Sequence, residues 1–279
     1  MAPIPKVLCL VWLLALPARA QEAWHESRSL HFNLLHEDRL VPVGYLPGLE
    51  KLYSRLRMDL AVFSPWMEKE RLKVYLYAGQ ESYMSGDFKP PKWSDGLSVY
   101  EKKVVVTYVH EDDLYRFFPV VAHEFSHLLF GLFWGKADRR PPIWLNEGMA
   151  MLGETSAVGP VESSDWYLNM LAWPRKEFLP LDRFILLHPA VDYKGLRPDD
   201  RRVCVWYTQA FSLVYYLYRG HTRLQFKDFC TRLRDGYSFE SALQSSYHIR
   251  DLNVLENDWR TWLGSPKERS RPTSTPRGW

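Results

Sequence analysis

Cysteine is almost missing from this chain. Three occur in 279 residues, Cys9, Cys204 and Cys230, and no two stand in a Cys-x-x-Cys pair. That removes cysteine-rich metal sites from consideration. A surplus of one charge is missing as well. Thirty-six basic against 33 acidic residues give +3, and setting residues 1–20 aside removes Lys6 and Arg19, leaving +1. So even a balance argues against a nucleic-acid partner. Internal repeats are absent. Beyond the N-terminal segment no stretch reads as long and apolar enough to span a membrane.

The N-terminal segment itself is informative. Lys6, the apolar run 7–16 and Ala18-Arg19-Ala20 have the three parts of a secretory leader, with cleavage before Gln21. The apolar run is short for a bilayer, so an uncleaved anchor is the minor alternative. Cys9 lies inside the run, too early for a lipid-attachment site. The expected mature chain is secreted or periplasmic, with no stable membrane insertion once the leader is gone. Cys204 and Cys230 then either pair as a disulfide between two helical segments or serve as small buried hydrophobes. Both readings stay open.

Periodicity sketches an α+β chain. Strand-like runs at 30–35, 72–77, 97–100 and 103–109 are interleaved with a helix at 49–63 and a helical turn at 80–84. From 114 to 132, Leu114, Phe118, Val121, Phe125, Leu128 and Leu132 recur at spacings of four and three, one helical face. Pro119 lies near the start of that helix or kinks it. Pro141-Pro142 breaks the chain and a second helix follows from 143 to about 154. Residues 155–198 read as irregular. Helices follow at 203–217, 226–233, 238–247 and 251–263, with Asp251 as an N-cap. Pro, Ser, Thr and Arg dominate 265–279, which reads as a disordered tail.

The chemistry concentrates in His123-Glu124-Phe125-Ser126-His127 and, twenty positions on, Trp144-Leu145-Asn146-Glu147-Gly148. Histidines four apart on a helix project from one face, about a turn apart, where a single zinc ion accepts both. Glu124 is placed to act as general base toward water at such a metal. Glu147 supplies a third ligand and leaves a fourth position open. Gly148 lets the two helices approach closely. Chance alone also produces this pentapeptide, as surface residues on an ordinary helix. The helical context and the downstream glutamate weigh against that reading.

The two motifs together resemble the gluzincin peptidases. The run 144–150, with Glu154 seven past Glu147, resembles M1-type aminopeptidases, and the short chain with its helical C-terminal half is similar to compact peptidase MA-like domains. The resemblance implies a zincin-like catalytic domain over 21–264 in two lobes. A small mixed sheet and the active-site helix occupy 21–134, and a mainly helical lobe occupies 135–264. It implies one zinc ion and a peptide or protein substrate. It also implies an edge strand that pairs with the substrate backbone, placed on Gly96–Tyr100, with Gly96, Leu97 and Ser98 as its binding residues, or on the hairpin partner; an ordinary paired strand is the alternative. A tyrosine about sixty residues past the glutamate ligand donates to the oxyanion in M1-type enzymes. Tyr207 stands at that distance, with His188, Tyr193 and His221 as alternatives. Glu154, two turns beyond Glu147 on the same helical face, either accepts the free N–H of a liganding histidine or is solvated. Asn146 either orients substrate or caps a backbone group.

One departure matters. M1 enzymes read the substrate amino terminus with a Gly-x-Met-Glu-Asn strand, and the matching region here is Asp95-Gly96-Leu97-Ser98-Val99-Tyr100. The expected function is therefore zinc-dependent peptide hydrolysis without a fixed endo or exo preference. The rivals are an aminopeptidase, a zinc-fold binding or assembly protein without catalysis, and a zinc hydrolase acting on a non-peptide bond. The last would use some of the 12 tryptophans as a sugar groove, although most occupy apolar helical positions.

Overall fold

The alternating run Leu72-Lys73-Val74-Tyr75-Leu76-Tyr77 is the middle strand of a five-stranded mixed sheet. This computed structural model describes residues 24–38, 40–41, 43–110, 114–135, 140–197 and 199–265, so the expected leader and all but the first residue of the expected tail lie outside the described residues. In chain order the strands are β1 (His25–Arg28), β2 (Phe32–His36), β3 (Leu72–Tyr77), β4 (Gly96–Val99) and β5 (Val104–Tyr108). They lie side by side as β1-β2-β3-β5-β4. β2, β3 and β5 are mutually parallel, and β1 and β4 run antiparallel along the two edges.

Burial explains which strands periodicity revealed. All five positions of β5 are buried, as an interior strand requires. β2 alternates, with Phe32 and Leu34 fully buried. β1 carries no apolar residue in His25-Glu26-Ser27-Arg28 and is held by its backbone ladder to β2. No hydrophobic pattern marks such a strand, and the sequence reading missed it.

The helices are α1 (Tyr45–Leu60), α2 (Gln80–Ser85), α3 (Leu114–Trp134), α4 (Ile143–Val158), α5 (Asp165–Ala172), α6 (Leu181–Phe184), α7 (Pro189–Asp192), α8 (Arg201–Arg219), α9 (Arg223–Asp235), α10 (Phe239–Tyr247) and α11 (Leu252–Gly264). α1 connects β2 to β3 and turns Leu49, Leu52, Tyr53, Leu56 and Leu60 inward. It begins at Tyr45, four residues before the expected start, because Pro47 sits in the first turn, where a missing N–H leaves nothing unpaired. The stretch 155–198, expected to be irregular, contains α5, α6 and α7, whose brevity hides them from an 11-residue window. Asp251 does cap α11, accepting from the Val254 N–H at 3.0 Å. The chain is α+β, with a small mixed sheet followed by helices.

α3 is the central element. Val121, Phe125 and Leu128 are fully buried, and Phe117, Ala122, Leu129 and Phe130 widen the apolar face. It starts before Pro119 and continues through it, losing only the hydrogen bond the proline N–H would have donated. Its segment Arg116–Trp134 is, against the expectation of no further such stretch, long and apolar enough by length and composition to cross a membrane. Half of that segment is buried inside the protein, where it serves as a core helix.

α4 packs along α3, and the close approach falls at Gly153, where a Cβ would stand 1.8 Å from Ser126 Oγ. Gly148 works differently from the expectation. A Cβ there would meet α8, at 2.4 Å from Val214 Cγ2 and 2.6 Å from the Ala210 carbonyl. The glycine beside Glu147 thus seats α4 on α8, while α3 meets α4 lower down. Cys204 and Cys230 are not joined by a disulfide, which sets that reading aside, and Cys230 is fully buried.

Candidate active site

Helical spacing brings His123 and His127 onto one line of α3, with Nε2 atoms 3.1 Å apart. α4 presents Glu147 to the same point. Its Oε2 stands 3.9 Å from His123 Nε2 and 3.8 Å from His127 Nε2. Among the described residues this is the group whose donor atoms could hold a metal ion, all within 4.8 Å of one another. Ligands on a tetrahedral ion at about 2.0–2.1 Å stand about 3.3 Å apart, so only small side-chain shifts separate this trio from the spacing a metal ion would need. Two imidazole nitrogens and one carboxylate oxygen, a borderline donor set with no thiolate, suit zinc.

One imidazole is held from behind by α4. His123 Nδ1 lies 3.0 Å from Glu154 Oε2, which fixes the tautomer and leaves Nε2 facing the trio. Burial works to lower the basicity of His123. The Glu154 hydrogen bond and charge, with the charges of Glu124 and Glu147, outweigh it and raise the ring to about 9. His127 goes the other way. Its burial and the neighbouring His123 lower its pKa, against the raising effect of Glu147, Glu124 and the Asn146 amide. Asn146 Oδ1 and His127 Nδ1 are both buried outside normal hydrogen-bond geometry with any partner. The amide is nevertheless near enough to favour the protonated ring. Asn146 thus lies near His127 without the direct hydrogen bond that Glu154 makes to His123, a place different from the two roles its sequence position suggested, orienting substrate or capping a backbone group.

On the other side of Glu124 lies β4, an edge of the sheet. Its partner β5 is interior, so the hairpin-partner alternative for a substrate strand is excluded. Residues two apart on a strand share a face. Gly96 and Ser98 face α3: Ser98 Oγ donates to Glu124 Oε2 at 2.5 Å and to the Glu124 carbonyl at 2.8 Å. A Cβ on Gly96 would lie 2.8 Å from both Glu124 Cγ and Val120 Cγ1. Leu97 turns to the opposite face and packs against the cluster of Tyr77, Tyr83, Val104, Val106 and Tyr108.

The same alternation reaches Tyr100, the last residue of the stretch expected to receive substrate. Its ring lies over Gly131, one turn beyond His127, where a Cβ would meet Cε1 at 2.3 Å. Burial, then the charge of Glu124, raise its hydroxyl to about 12, with the Asn146 amide opposing and the Glu147 charge adding. The i, i+2, i+4 set of 96, 98 and 100 was the signal available for it.

Tyr207, on α8, is largely buried, and burial together with the charge of Glu147 raises its hydroxyl well above the ordinary tyrosine value. It is a protonated donor within the field of the cluster. The alternatives are placed elsewhere. His221 packs against Tyr216 and Tyr247 beyond the far end of α8, about 20 Å from Tyr207 at a helix's rise per residue. Tyr193 lines a shallow hollow with Leu179, Arg201 and Val205, and His188 precedes α7.

The model of the peptidase MA superfamily matches residues 58–265, a span that takes in every residue of this cluster. The chain belongs to the peptidase MA superfamily. Leucine aminopeptidase 2 of Pyricularia oryzae (strain 70-15) is similar to it, 32% identical over 173 residues. That alignment covers 55% of this chain and 28% of the aminopeptidase, so the chain spans well under a third of that relative.

Proposed function

We propose that the protein is a secreted or periplasmic zinc-dependent metallopeptidase of gluzincin type, built as a zincin-like two-lobed domain. Its metal would be held by His123, His127 and Glu147, with Glu124 as general base. The observation that carries this reading is the convergence of those three donor atoms beside a glutamate that β4 holds by Ser98 Oγ. When bound, zinc supplies Lewis acidity and a water acidified toward neutral pH.

The chain's own groups divide the remaining work. Glu124 takes the proton of the attacking water and passes it to the leaving amine. Ser98 engages one of its oxygens, Oε2, so the other is the free one for that transfer. Tyr207 donates its hydroxyl hydrogen to the carbonyl oxygen as negative charge develops there. Glu154 holds the His123 imidazole from behind. The free edge of β4 at Gly96, Leu97 and Ser98 receives an extended peptide through backbone hydrogen bonds.

The aminopeptidase likeness supports a second reading, amino-terminal trimming. The sequence 95–100 lacks the Gly-x-Met-Glu-Asn pattern that the trimming would use. A non-catalytic binding module has no use for Glu124, which argues for hydrolysis. The tryptophan groove loses support too, since Trp134, Trp144, Trp206 and Trp259 are core residues.

Metal analysis tests the reading. The purified protein should hold one zinc per chain, Glu147→Ala should weaken it by about a hundredfold or more, and Glu124→Gln should keep it while losing turnover. A folded wild-type protein that takes up no zinc would overturn the proposal.

A further inference from the structure

Glu154 uses its two carboxylate oxygens on two different partners. Oε2 meets His123 Nδ1 at 3.0 Å, and Oε1 accepts from the indole Nε1–H of Trp166 at 3.2 Å. A carboxylate held at one oxygen can still turn about its last torsion, which is broad and roughly twofold. A second donor on the other oxygen fixes the plane. The choice of donor matters also. Indole N–H is neutral, donates once and accepts nothing. It orients Glu154 without drawing the carboxylate's charge away from His123, as a lysine or arginine in its place would.

Trp166 comes from neither helix of the cluster. It stands at the start of α5, whose first turn is capped by Ser164 Oγ accepting from the Tyr167 N–H at 3.2 Å. Tyr167 in turn packs edge-on against Tyr215 of α8, with ring centroids 5.5 Å apart. The chain of contacts therefore runs from α8 through α5 to Glu154 and His123.

We propose that Trp166 is a positioning residue of the metal site: its indole N–H fixes the Glu154 carboxylate in the plane that keeps His123 Nδ1–H engaged and Nε2 aimed at the ligand cluster. This rests on the zinc reading above. Docking of α5 on α8 then sets how tightly the metal is held.

A double-mutant cycle on zinc affinity, measured by competition with a chromophoric chelator, tests it on the chain from residue 21 to the C-terminus. Trp166→Phe keeps the apolar ring contacts and removes the N–H; it should bind zinc about tenfold more weakly. Glu154→Ala should cost at least as much, and the double variant should match Glu154→Ala, because Trp166 acts through Glu154. Trp166→His, which retains a ring N–H, should recover most of the loss, and it carries the test if the Phe variant does not fold. Unchanged affinity in Trp166→Phe, or losses that multiply in the double variant, would overturn the proposal. A wild-type chain without zinc would contradict the zinc reading instead, so the two failures are distinguishable.

Discussion

Glu124 is gripped from the β4 side by Ser98 Oγ and crowded by Gly96. Ser98→Ala should lower kcat by about tenfold through a less ordered base, with zinc content unchanged. Gly96→Ala should be worse, since its Cβ would displace Glu124 Cγ or Val120, and equal activity in the two variants would contradict this geometry. Tyr207→Phe should reduce kcat by about a hundredfold with little change in KM, the pattern for a group that acts in the transition state. An altered KM alone would remove Tyr207 from the chemistry. At this scale spacing made four residues legible: His123, Glu124 and His127 from a helical repeat, and Glu147 from the helix that Pro141-Pro142 delimits. Trp166 was not legible, because it reaches the cluster from a separate element and no local pattern encodes that meeting, whereas Tyr100 shares the alternation of Gly96 and Ser98.

Glu50 shows how an element is tied down. On α1 it accepts from Ser29 Oγ at 2.6 Å and from the His31 backbone N–H at 2.9 Å, and its other oxygen faces His31 Nδ1 at 2.6 Å. Burial acts to raise its carboxyl, but these donors outweigh it and hold it below the usual 4.5. The folded value being lowered, its stabilising contribution is present above about pH 4.5 and is lost as pH falls through the folded value. The melting temperature should therefore drop more steeply below that pH in the wild type than in Glu50→Gln, and parallel curves would contradict the assignment. Asp59 fastens α1 to α8 in the same way, accepting from Tyr218 Oη at 2.8 Å with Arg219 and Arg223 beside it. Asp59→Ala should cost about 3 kcal/mol in chemical denaturation. Long elements with a single apolar face, α1, α3 and α8, were readable in advance. β1 was not, having no apolar face, and neither were the short α5–α7, whose contacts are with other elements.

Across the whole molecule, the sheet supplies an edge, α3 the two histidines and Glu124, α4 Glu147, Asn146 and Glu154, α8 a tyrosine, and α5 a tryptophan. The α+β class followed from the order of strand and helix patterns. Which strand forms the edge did not, because β4 and β5 are both short apolar runs. Only the crossover from β3 places β5 inside and β4 outside. Membership of the peptidase MA superfamily agrees with this assembly, and the claim that matters most is that the assembly hydrolyses peptides. The most direct test incubates the zinc-loaded chain from residue 21 onward with a mixed peptide library, reads the products by mass spectrometry, and runs Glu124→Gln beside it. The account predicts zinc-dependent cuts that vanish in the variant, with internal cuts marking an endopeptidase and amino-terminal trimming the second reading. Cuts that persist in Glu124→Gln, or none from a folded, zinc-loaded wild type, would contradict it.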